Sequence, residues 1–310
     1  MAPQPAVVGM GACLSTLKKP HDIEQLCIAF VPGTGAVEIH PLAKGLISES
    51  YRVVRDGRAY TLKAAAAYAA EFALNIAWEA QVLERAGSAG MAPALVYCDV
   101  DRALLVSRWV EGRSWSPEEV RRPANIGKIA ALLRRVHALA VPLPPRLMNP
   151  VSWVQVYGAA LSRRSRGAPD GALRTAADAR LQELARLPAP AGVVCHSDLH
   201  AMNLLHRDES LILIDWEYAH ISDPLWDLAG WAANNDFEGA AQGELLTNYL
   251  GTAPTASDWQ RLRLLIWLYD YVCLLWSRLY LSVRRDGVNG ISRRATQLDA
   301  RLRLPAHYAA

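Results

Sequence analysis

Alternating apolar and polar positions dominate the first third of the chain, a pattern typical of β-strands. Val37 and Ile39 alternate with polar residues, and two further runs, 51–54 and 60–63, flank Asp56-Gly57, a dipeptide that favours a two-residue hairpin turn. The runs at 95–98 and 103–109 predict a second hairpin. We therefore expect a small antiparallel sheet near the N-terminus.

Helical periodicity precedes this sheet, interrupts it and then fills the rest of the chain. Residues 1–20 have no clear periodicity and stay unassigned, whereas residues 22–30 place their apolar side chains on one helical face. An Ala-rich segment at 69–86 predicts a helix between the strands. Beyond Gly112 the predicted helices are 125–140, 152–163, 170–187 and 258–284. The chain is thus predicted to be an α+β protein.

Two carboxylates and a carboxamide mark the stretch 193–227. Asp198 follows a short apolar run, Asn203 comes five residues later, and Asp215 ends a second apolar run. A strand, a polar loop and a second strand ending in a carboxylate would bring these three side chains to one pocket. The set suits phosphoryl transfer from a nucleotide, in which one carboxylate takes the hydroxyl proton while an Asn and a second Asp hold magnesium on the phosphates.

The letters around these residues resemble a known family. His196-Ser197-Asp198-x-x-x-x-Asn203 followed by Ile214-Asp215 resembles the kinase catalytic loop and metal-binding Asp. LIDWEYA and DPLWDLA, which follow, resemble the choline/ethanolamine kinase family, bacterial thiamine kinases and, more distantly, aminoglycoside phosphotransferases.

This resemblance implies a two-lobed protein-kinase-like fold that uses ATP and Mg²⁺. Residues 1–106 would form the nucleotide-covering lobe, with its small antiparallel sheet. Residues 107–310 would form the larger, mainly helical lobe, which carries out catalysis and binds the substrate.

Within the larger lobe, the resemblance assigns Asp198 as the base and Asn203 and Asp215 as the Mg²⁺ ligands. It also implies that His196 orients the catalytic loop and that Asp227 braces it. Glu217 lies two residues after Asp215 and would face the same side of an extended segment, where it would help hold a second magnesium or the substrate, or be structural.

In the smaller lobe, the resemblance points to a turn around Gly45 and Ser48 that lets the backbone approach the phosphates. It pairs Lys63 with Glu79, so that the lysine is positioned on the α- and β-phosphates. Residues 107–112 would be the interlobe hinge whose backbone meets adenine.

Net charge, cysteine content and the longest apolar segment limit the expected binding partners and the expected cellular compartment. The net charge is +3 without a basic run, which makes nucleic acid a poor candidate. Five scattered cysteines without a C-x-x-C pair predict free thiols, and no signal peptide is evident, so we expect a cytoplasmic protein. The apolar segment 262–281 contains Arg263, Asp270 and Arg278, which favours a buried helix over a membrane span.

Aromatic residues in the last predicted helix indicate which kind of alcohol accepts the phosphoryl group. Trp276 lies in a stretch that resembles the pocket of choline kinases, and Tyr271 and Trp267 are further candidates for an aromatic box around a cationic headgroup. Core packing is the alternative use of such residues. We expect a small cationic alcohol, with choline or ethanolamine first and thiamine second; an aminoglycoside would predict a more acidic pocket.

Two hypotheses from other classes stay open at this stage. His196-x-Asp198-x-His200 could supply the three protein ligands of a catalytic zinc site in a hydrolase. That hypothesis leaves Lys63, Asn203 and the N-terminal strands unexplained. A kinase-like binding module without turnover is the other, and the complete set of kinase residues argues against it.

Overall fold

The computed structural model describes residues 20–42, 45–164, 167–284, 288–304 and 308. Its N-terminal part contains five strands and two α-helices. These elements are α1 (Pro20–Phe30), β1 (Val37–Pro41), β2 (Ser48–Arg55), β3 (Arg58–Ala65), α2 (Ile76–Ser88), β4 (Leu95–Asp99) and β5 (Leu104–Arg108).

The five strands form one antiparallel sheet in the order β1-β2-β3-β5-β4. Asp56 and Gly57 link β2 to β3 with φ values of 49° and 71°, the left-handed conformation that a type I′ hairpin turn requires at both central positions. The pairing of Arg55 with Arg58 closes this hairpin. The predicted antiparallel sheet is confirmed.

Helix α1 covers one face of the sheet and gives this part of the chain its own small core. Ile23, Cys27 and Val31 pack in a cluster with buried residues of β2, β3 and β5. The largely buried guanidinium of Arg55 donates to the carbonyls of Ile28 and Val31 at 2.8 and 2.6 Å. Because these carbonyls lie at the C-terminal end of α1, Arg55 satisfies groups that the helix leaves unpaired.

The Ala-rich segment 69–86 does not form the single helix predicted from its composition. A 3₁₀ turn, Ala69–Phe72, ends where Ala73 adopts a left-handed φ of 57°. Helix α2 then starts at its N-cap Asn75, whose side chain accepts a hydrogen bond from the backbone N–H of Trp78. The prediction of one continuous helix is wrong, and the break places Glu79 in the first turn of α2.

The C-terminal part is mainly helical and includes two short antiparallel ribbons, β6 with β9 and β7 with β8. Its elements are α3 (Pro117–Val120), α4 (Pro123–His137), α5 (Pro150–Arg163), α6 (Gly171–Arg186), β6 (Val193–Cys195), β7 (Leu204–Arg207), β8 (Ser210–Leu213), β9 (His220–Ser222), α7 (Leu225–Asn234), α8 (Gly239–Leu250), α9 (Ala256–Val283) and α10 (Asn289–Leu302).

Helix α9 is the centre of this part and packs against α5, α6, α7 and α10. A capping box of Thr255 and Asp258 starts it. Among the described residues it is the one helix long and apolar enough to cross a membrane, yet 78% of its most apolar window is buried inside the protein. Its apolar surface is therefore used for core packing, as the charges within it predict.

Four of the five cysteines lie in the described residues, and all four are free thiols. Cys27 and Cys195 are buried, and Cys98 and Cys273 are half-buried. Cys13 lies outside the described residues.

Candidate active site

The loop that follows β6 is held by a single buried carboxylate on α7. Asp227 accepts hydrogen bonds from the backbone N–H groups of His196 and Ser197, at 2.9 and 2.7 Å. Burial alone would raise the pKa of Asp227, but His137, His196 and the backbone donor offset it, and its pKa lies below the usual range. Asp227 therefore stays ionised while it fixes the start of the loop.

A second contact ties the same loop to the end of β8. The ring of His196 is fully buried, and its Nε2–H donates to the carbonyl of Ile214 at 2.9 Å. Asp215 is the next residue along the chain. Through this hydrogen bond, His196 holds the loop that carries Asp198 next to the end of β8, which leads into Asp215.

Asn203 lies between the two acidic residues. Its side-chain Nδ2 donates to the carbonyl and to Oδ2 of Asp198, at 3.0 and 3.1 Å. Its backbone carbonyl accepts from Ile214 N–H at 3.0 Å. Because both side-chain contacts use the nitrogen, the carboxamide oxygen remains available as a ligand.

Two neighbouring histidines and Arg294 keep the pKa of Asp198 low. Burial would raise its pKa, but His200, His196 and Arg294 together outweigh burial, and the pKa lies below the usual range. His200 Nε2 is 3.7 Å from Asp198 Oδ2. Asp198 is consequently an ionised hydrogen-bond acceptor near neutral pH.

Three carboxylates surround the ammonium group of Lys63. Nζ lies 2.9 Å from Glu79 Oε1, 2.6 Å from Asp215 Oδ1 and 2.8 Å from Glu217 Oε2. Lys63 comes from β3 and Glu79 from α2, while the other two acids come from the segment after β8. The cluster therefore joins the N-terminal sheet to the catalytic loop.

This cluster carries more negative than positive charge. Although burial opposes it, the three acids hold the pKa of Lys63 well above its usual value. Burial and the neighbouring Asp215 raise the pKa of Glu217 to about 8. Glu217 Oε2 is buried and forms an ion pair with Lys63 at 2.8 Å. A divalent cation that prefers oxygen ligands, such as Mg²⁺, fits this set of donors and would balance its charge.

Both ends of the catalytic segment adopt strained backbone. Ser197 has a φ of 68° and Asp215 a φ of 63°, a region that residues other than glycine rarely enter. Such conformations cost about 1–3 kcal/mol each and concentrate at functional sites. Ser197 directly precedes Asp198, and Asp215 is the second acid of the motif, so the backbone turns sharply at or beside each of the two acids.

The turn before β2 requires a glycine for steric reasons. A Cβ on Gly45 would lie 2.6 Å from the carbonyl oxygen of Ser48. Ser48 itself is buried at the start of β2, and Ile47 is held by a hydrogen bond from Ala66 N–H at 2.8 Å. We call residues 45–48 the phosphate turn, after the role that the sequence predicts for them; Lys44, which precedes the turn, lies outside the described residues.

Trp276 lies beside the acidic segment. Its Nε1–H donates to the hydroxyl of Tyr218 at 2.7 Å, and Tyr218 is three residues from Asp215. The Trp276 ring stacks on Tyr280 at 5.4 Å and lies 5.4 Å from the ring of Phe72. We call this cluster of Phe72, Tyr218, Trp276 and Tyr280 the aromatic pocket, after the role that the sequence predicts for Trp276.

The other two aromatic candidates lie elsewhere. Trp267 and Tyr271 stack on each other, and both are almost fully buried. Trp267 donates to the carbonyl of Leu302 in α10, and the guanidinium of Arg180 in α6 lies 4.1 Å from its ring. They occupy the face of α9 opposite Trp276, so the structure does not bring them together with Asp198 and Asp215.

The geometry does not support the zinc-hydrolase hypothesis. His196 Nε2 donates to a carbonyl and Nδ1 accepts from Asp198 N–H, so neither nitrogen is available to a metal. Among the described residues, a different group, His137, Cys195 and Asp227, brings ligand atoms within 4.8 Å. In this group the Asp227 oxygens already accept hydrogen bonds from the backbone of the loop after β6. The group of His137, Cys195 and Asp227 therefore supports that loop.

Comparison with known proteins identifies the family. The profile of the Phosphotransferase enzyme family matches residues 38–265, most of the chain. The chain belongs to this family. The predictions of a phosphotransferase that acts on small molecules and of a kinase-like fold are confirmed.

Solved structures extend this comparison over nearly the whole phosphotransferase. A choline/ethanolamine kinase family protein from Mesorhizobium loti has a TM-score of 0.74 and 24% identity, and the match covers 93% of this chain and 97% of that one. The choline kinase LicA from Streptococcus pneumoniae has a TM-score of 0.74 and 20% identity, over 91% and 98%. At these identities the likeness is one of fold.

A more distant structure and a short sequence match complete the comparison. An aminoglycoside phosphotransferase in a ternary complex with AMP-PNP and hygromycin B has a TM-score of 0.64 and 18% identity, over 93% of this chain and 98% of that one. Protein LicA from Haemophilus influenzae is 51% identical over 35 residues, which are 11% of this chain and 13% of that protein. This sequence match therefore spans a small fraction of the relative's length.

Acid should destabilise this phosphotransferase through His220. Burial lowers its pKa from 6.5 to about 4, while its ring contacts Ser197 Oγ at 3.0 Å. The unfolded chain takes up the proton near pH 6.5 and the folded chain only near pH 4, so stability is lost as pH falls across that window. We expect His220 to contribute a loss of about 2 kcal/mol in the free energy of unfolding between pH 7 and pH 5.

Urea unfolding at both pH values measures this loss. The variant His220→Gln keeps polar groups beside Ser197 but does not titrate, so its stability should fall less between pH 7 and pH 5. The buried His196, whose pKa is also lowered, leaves some pH dependence in the variant. Equal losses in the two proteins would contradict the prediction.

Proposed function

We propose that this phosphotransferase transfers the γ-phosphoryl group of ATP to the hydroxyl of a small cationic alcohol, with choline or ethanolamine as the acceptor. One observation carries the choice of acceptor. The aromatic pocket is attached to the acidic segment through the hydrogen bond between Trp276 and Tyr218. An aromatic face attracts a quaternary or primary ammonium group, and adjacent carboxylates reinforce that attraction.

Asp198 is the proposed base. It is ionised, its side chain is held by Asn203, and its loop is fixed by Asp227, so it can accept the proton of the acceptor hydroxyl. Phosphoryl transfer depends mainly on positioning and on charge stabilisation, which makes this rigid support more important than a raised pKa. Lys63, positioned by Glu79, would bind the α- and β-phosphates of ATP.

Mg²⁺ is the proposed metal, with Asn203 and Asp215 as its ligands and Glu217 beside them. When bound, it neutralises negative charge on the phosphates. Three buried or half-buried acids that share one lysine support a cation here. With Mg²⁺ and ATP bound, Lys63 would give up its contacts with Asp215 and Glu217 and would contact the phosphates instead.

The remaining assignments follow from this function. We place the boundary between the nucleotide-covering lobe and the catalytic lobe after residue 106, inside β5, where the chain turns towards the hinge at 107–112. The free thiols and the use of ATP support a cytoplasmic reaction.

ATP consumption by the purified protein with Mg²⁺ tests the proposal. The acceptor panel is choline, ethanolamine, thiamine and an aminoglycoside. Turnover with choline or ethanolamine supports the proposed acceptor, whereas turnover with thiamine or the aminoglycoside alone keeps the reaction and replaces the acceptor. Mg-AMP-PNP binding without any turnover would reject all four acceptors.

Two matched tryptophan variants on α9 test the pocket. Trp276→Phe removes the hydrogen bond to Tyr218 and part of the cation-binding face, so KM for choline should rise about fivefold, with KM for ATP nearly unchanged. Trp267→Phe makes the same change on the opposite face and should leave KM for choline within about twofold. Equal effects of the two variants would contradict the assignment of Trp276.

A further inference from the structure

The segment between β3 and α2 lies between the phosphate turn and the aromatic pocket, and Tyr68 is the residue that touches both. Its hydroxyl donates to the carbonyl of Leu46, in the phosphate turn, at 2.5 Å. This hydrogen bond crosses 22 positions of the chain. The turn is therefore held at its centre by a side chain from outside the sheet.

The ring of Tyr68 contacts two members of the aromatic pocket. Its edge meets Phe72 and Tyr280, each at a centroid distance of 6.4 Å. Tyr280 stacks on Trp276 in the aromatic pocket. Tyr68 is thus packed against the proposed acceptor site while its hydroxyl holds the turn proposed to cover ATP.

Arg284, at the C-terminal end of α9, approaches the same hydroxyl. Its Nη1 lies 3.3 Å from Tyr68 Oη, and its guanidinium is 5.5 Å from the ring centroid. A donor to the phenol oxygen strengthens the bond that this hydroxyl donates onward, because consecutive hydrogen bonds polarise one another. Arg284 at the end of α9 therefore supports Tyr68, and Tyr68 in turn supports the phosphate turn.

We propose that Tyr68 is a positioning residue that holds the phosphate turn over the nucleotide phosphates and links that turn to the acceptor pocket. This inference rests on the proposed function, in which the turn covers the phosphates of ATP. A glycine-containing turn is flexible in isolation, and ordering it costs conformational entropy whenever a nucleotide binds. A hydrogen bond from a ring that is already packed reduces that cost before the nucleotide arrives.

The decisive variant is Tyr68→Phe, which removes the hydroxyl and keeps the ring against Phe72 and Tyr280. We expect its Kd for Mg-AMP-PNP to rise about fivefold, the effect of one typical hydrogen bond. Its Ki for adenosine, measured by competition, should stay within about twofold, because adenosine has no phosphates for the turn to cover. Calorimetry or a displacement assay gives both values.

Tyr97→Phe is the matched control. Tyr97 lies on β4, is 38% exposed and stacks on Phe30, away from the phosphate turn. It should bind Mg-AMP-PNP like the wild type. Wild-type affinity of Tyr68→Phe for Mg-AMP-PNP would overturn the proposal, and so would an equal loss for adenosine and Mg-AMP-PNP, because a general structural defect affects both ligands.

A second measurement tests the link to the acceptor. In the wild type, saturating choline should tighten Mg-AMP-PNP binding, and Tyr68→Phe should reduce this coupling towards one while Kd for choline alone is unchanged. Coupling that survives in the variant would overturn the link. If choline has no effect on nucleotide binding by the wild type, the link between the turn and the acceptor pocket is overturned, and the comparison of Mg-AMP-PNP with adenosine still decides whether Tyr68 holds the turn.

Discussion

Asp198→Asn should lower kcat by about a thousandfold while Kd for Mg-AMP-PNP changes less than about threefold. A positioned general base contributes about 10²–10⁴-fold to rate, and the amide keeps the size of the carboxylate but cannot take the proton. The rate of ADP formation and calorimetric binding of Mg-AMP-PNP measure the two effects separately.

Asp208→Asn is the matched control in the same part of the chain. Asp208 lies in the β7–β8 turn with a φ of 52°, a conformation that Asn tolerates well. This variant should turn over like the wild type. Near-wild-type kcat in Asp198→Asn would show that another group accepts the proton.

The expected loss falls on kcat because of how Asp198 is held. Its side chain contacts Asn203, and its loop is attached to α7 and to the carbonyl of Ile214. None of these contacts needs a nucleotide, so the geometry exists before ATP binds. The substitution removes the proton acceptor and leaves the phosphate-binding groups in place.

The catalytic segment could be predicted because its structure is local. Asp198, Asn203 and Asp215 are close in sequence, and two short apolar runs mark β6 and β8 on either side of the loop. Spacing alone therefore indicates which side chains meet. The Asp56-Gly57 turn was predictable for the same reason, since the dipeptide itself supplies the left-handed backbone.

The aromatic pocket could be predicted only in part, because its members come from distant segments. Trp267 and Trp276 are nine positions apart on one helix, which places them about two and a half turns apart and therefore on opposite faces, and composition cannot decide which face meets the active site. Tyr218 had a usable signal, since it lies three residues after Asp215. Phe72 had none, because its position depends on the break at Ala73.

Only part of the charge cluster around Lys63 could be predicted from the sequence. The resemblance paired Lys63 with Glu79 alone. In the structure Asp215 and Glu217 reach the same ammonium, and they follow it by about 150 residues. Helices α3, α8 and α10 were likewise not predicted, whereas the resemblance does place Asp227 on the helix after the catalytic loop, which is α7.

Asp227→Asn should reduce the free energy of unfolding by about 3 kcal/mol. The carboxylate is fully buried and accepts from two backbone N–H groups, of His196 and Ser197, as well as contacting His137 Nε2 at 3.1 Å. An amide offers one acceptor oxygen, so its NH₂ group must face a backbone donor. A buried donor without a partner costs about 1–3 kcal/mol, and breaking a buried charged contact costs more.

Urea unfolding measures this loss, and Asp178→Asn is the control. Asp178 is exposed on α6, where the same substitution should change stability by no more than about 0.5 kcal/mol. A lower midpoint with an unchanged urea dependence would show that the native state itself has lost stability. Wild-type stability in Asp227→Asn would mean that the loop is held without this carboxylate.

Loss of turnover in the folded variant would show that the support of the loop, and not Asp198 alone, is needed for phosphoryl transfer.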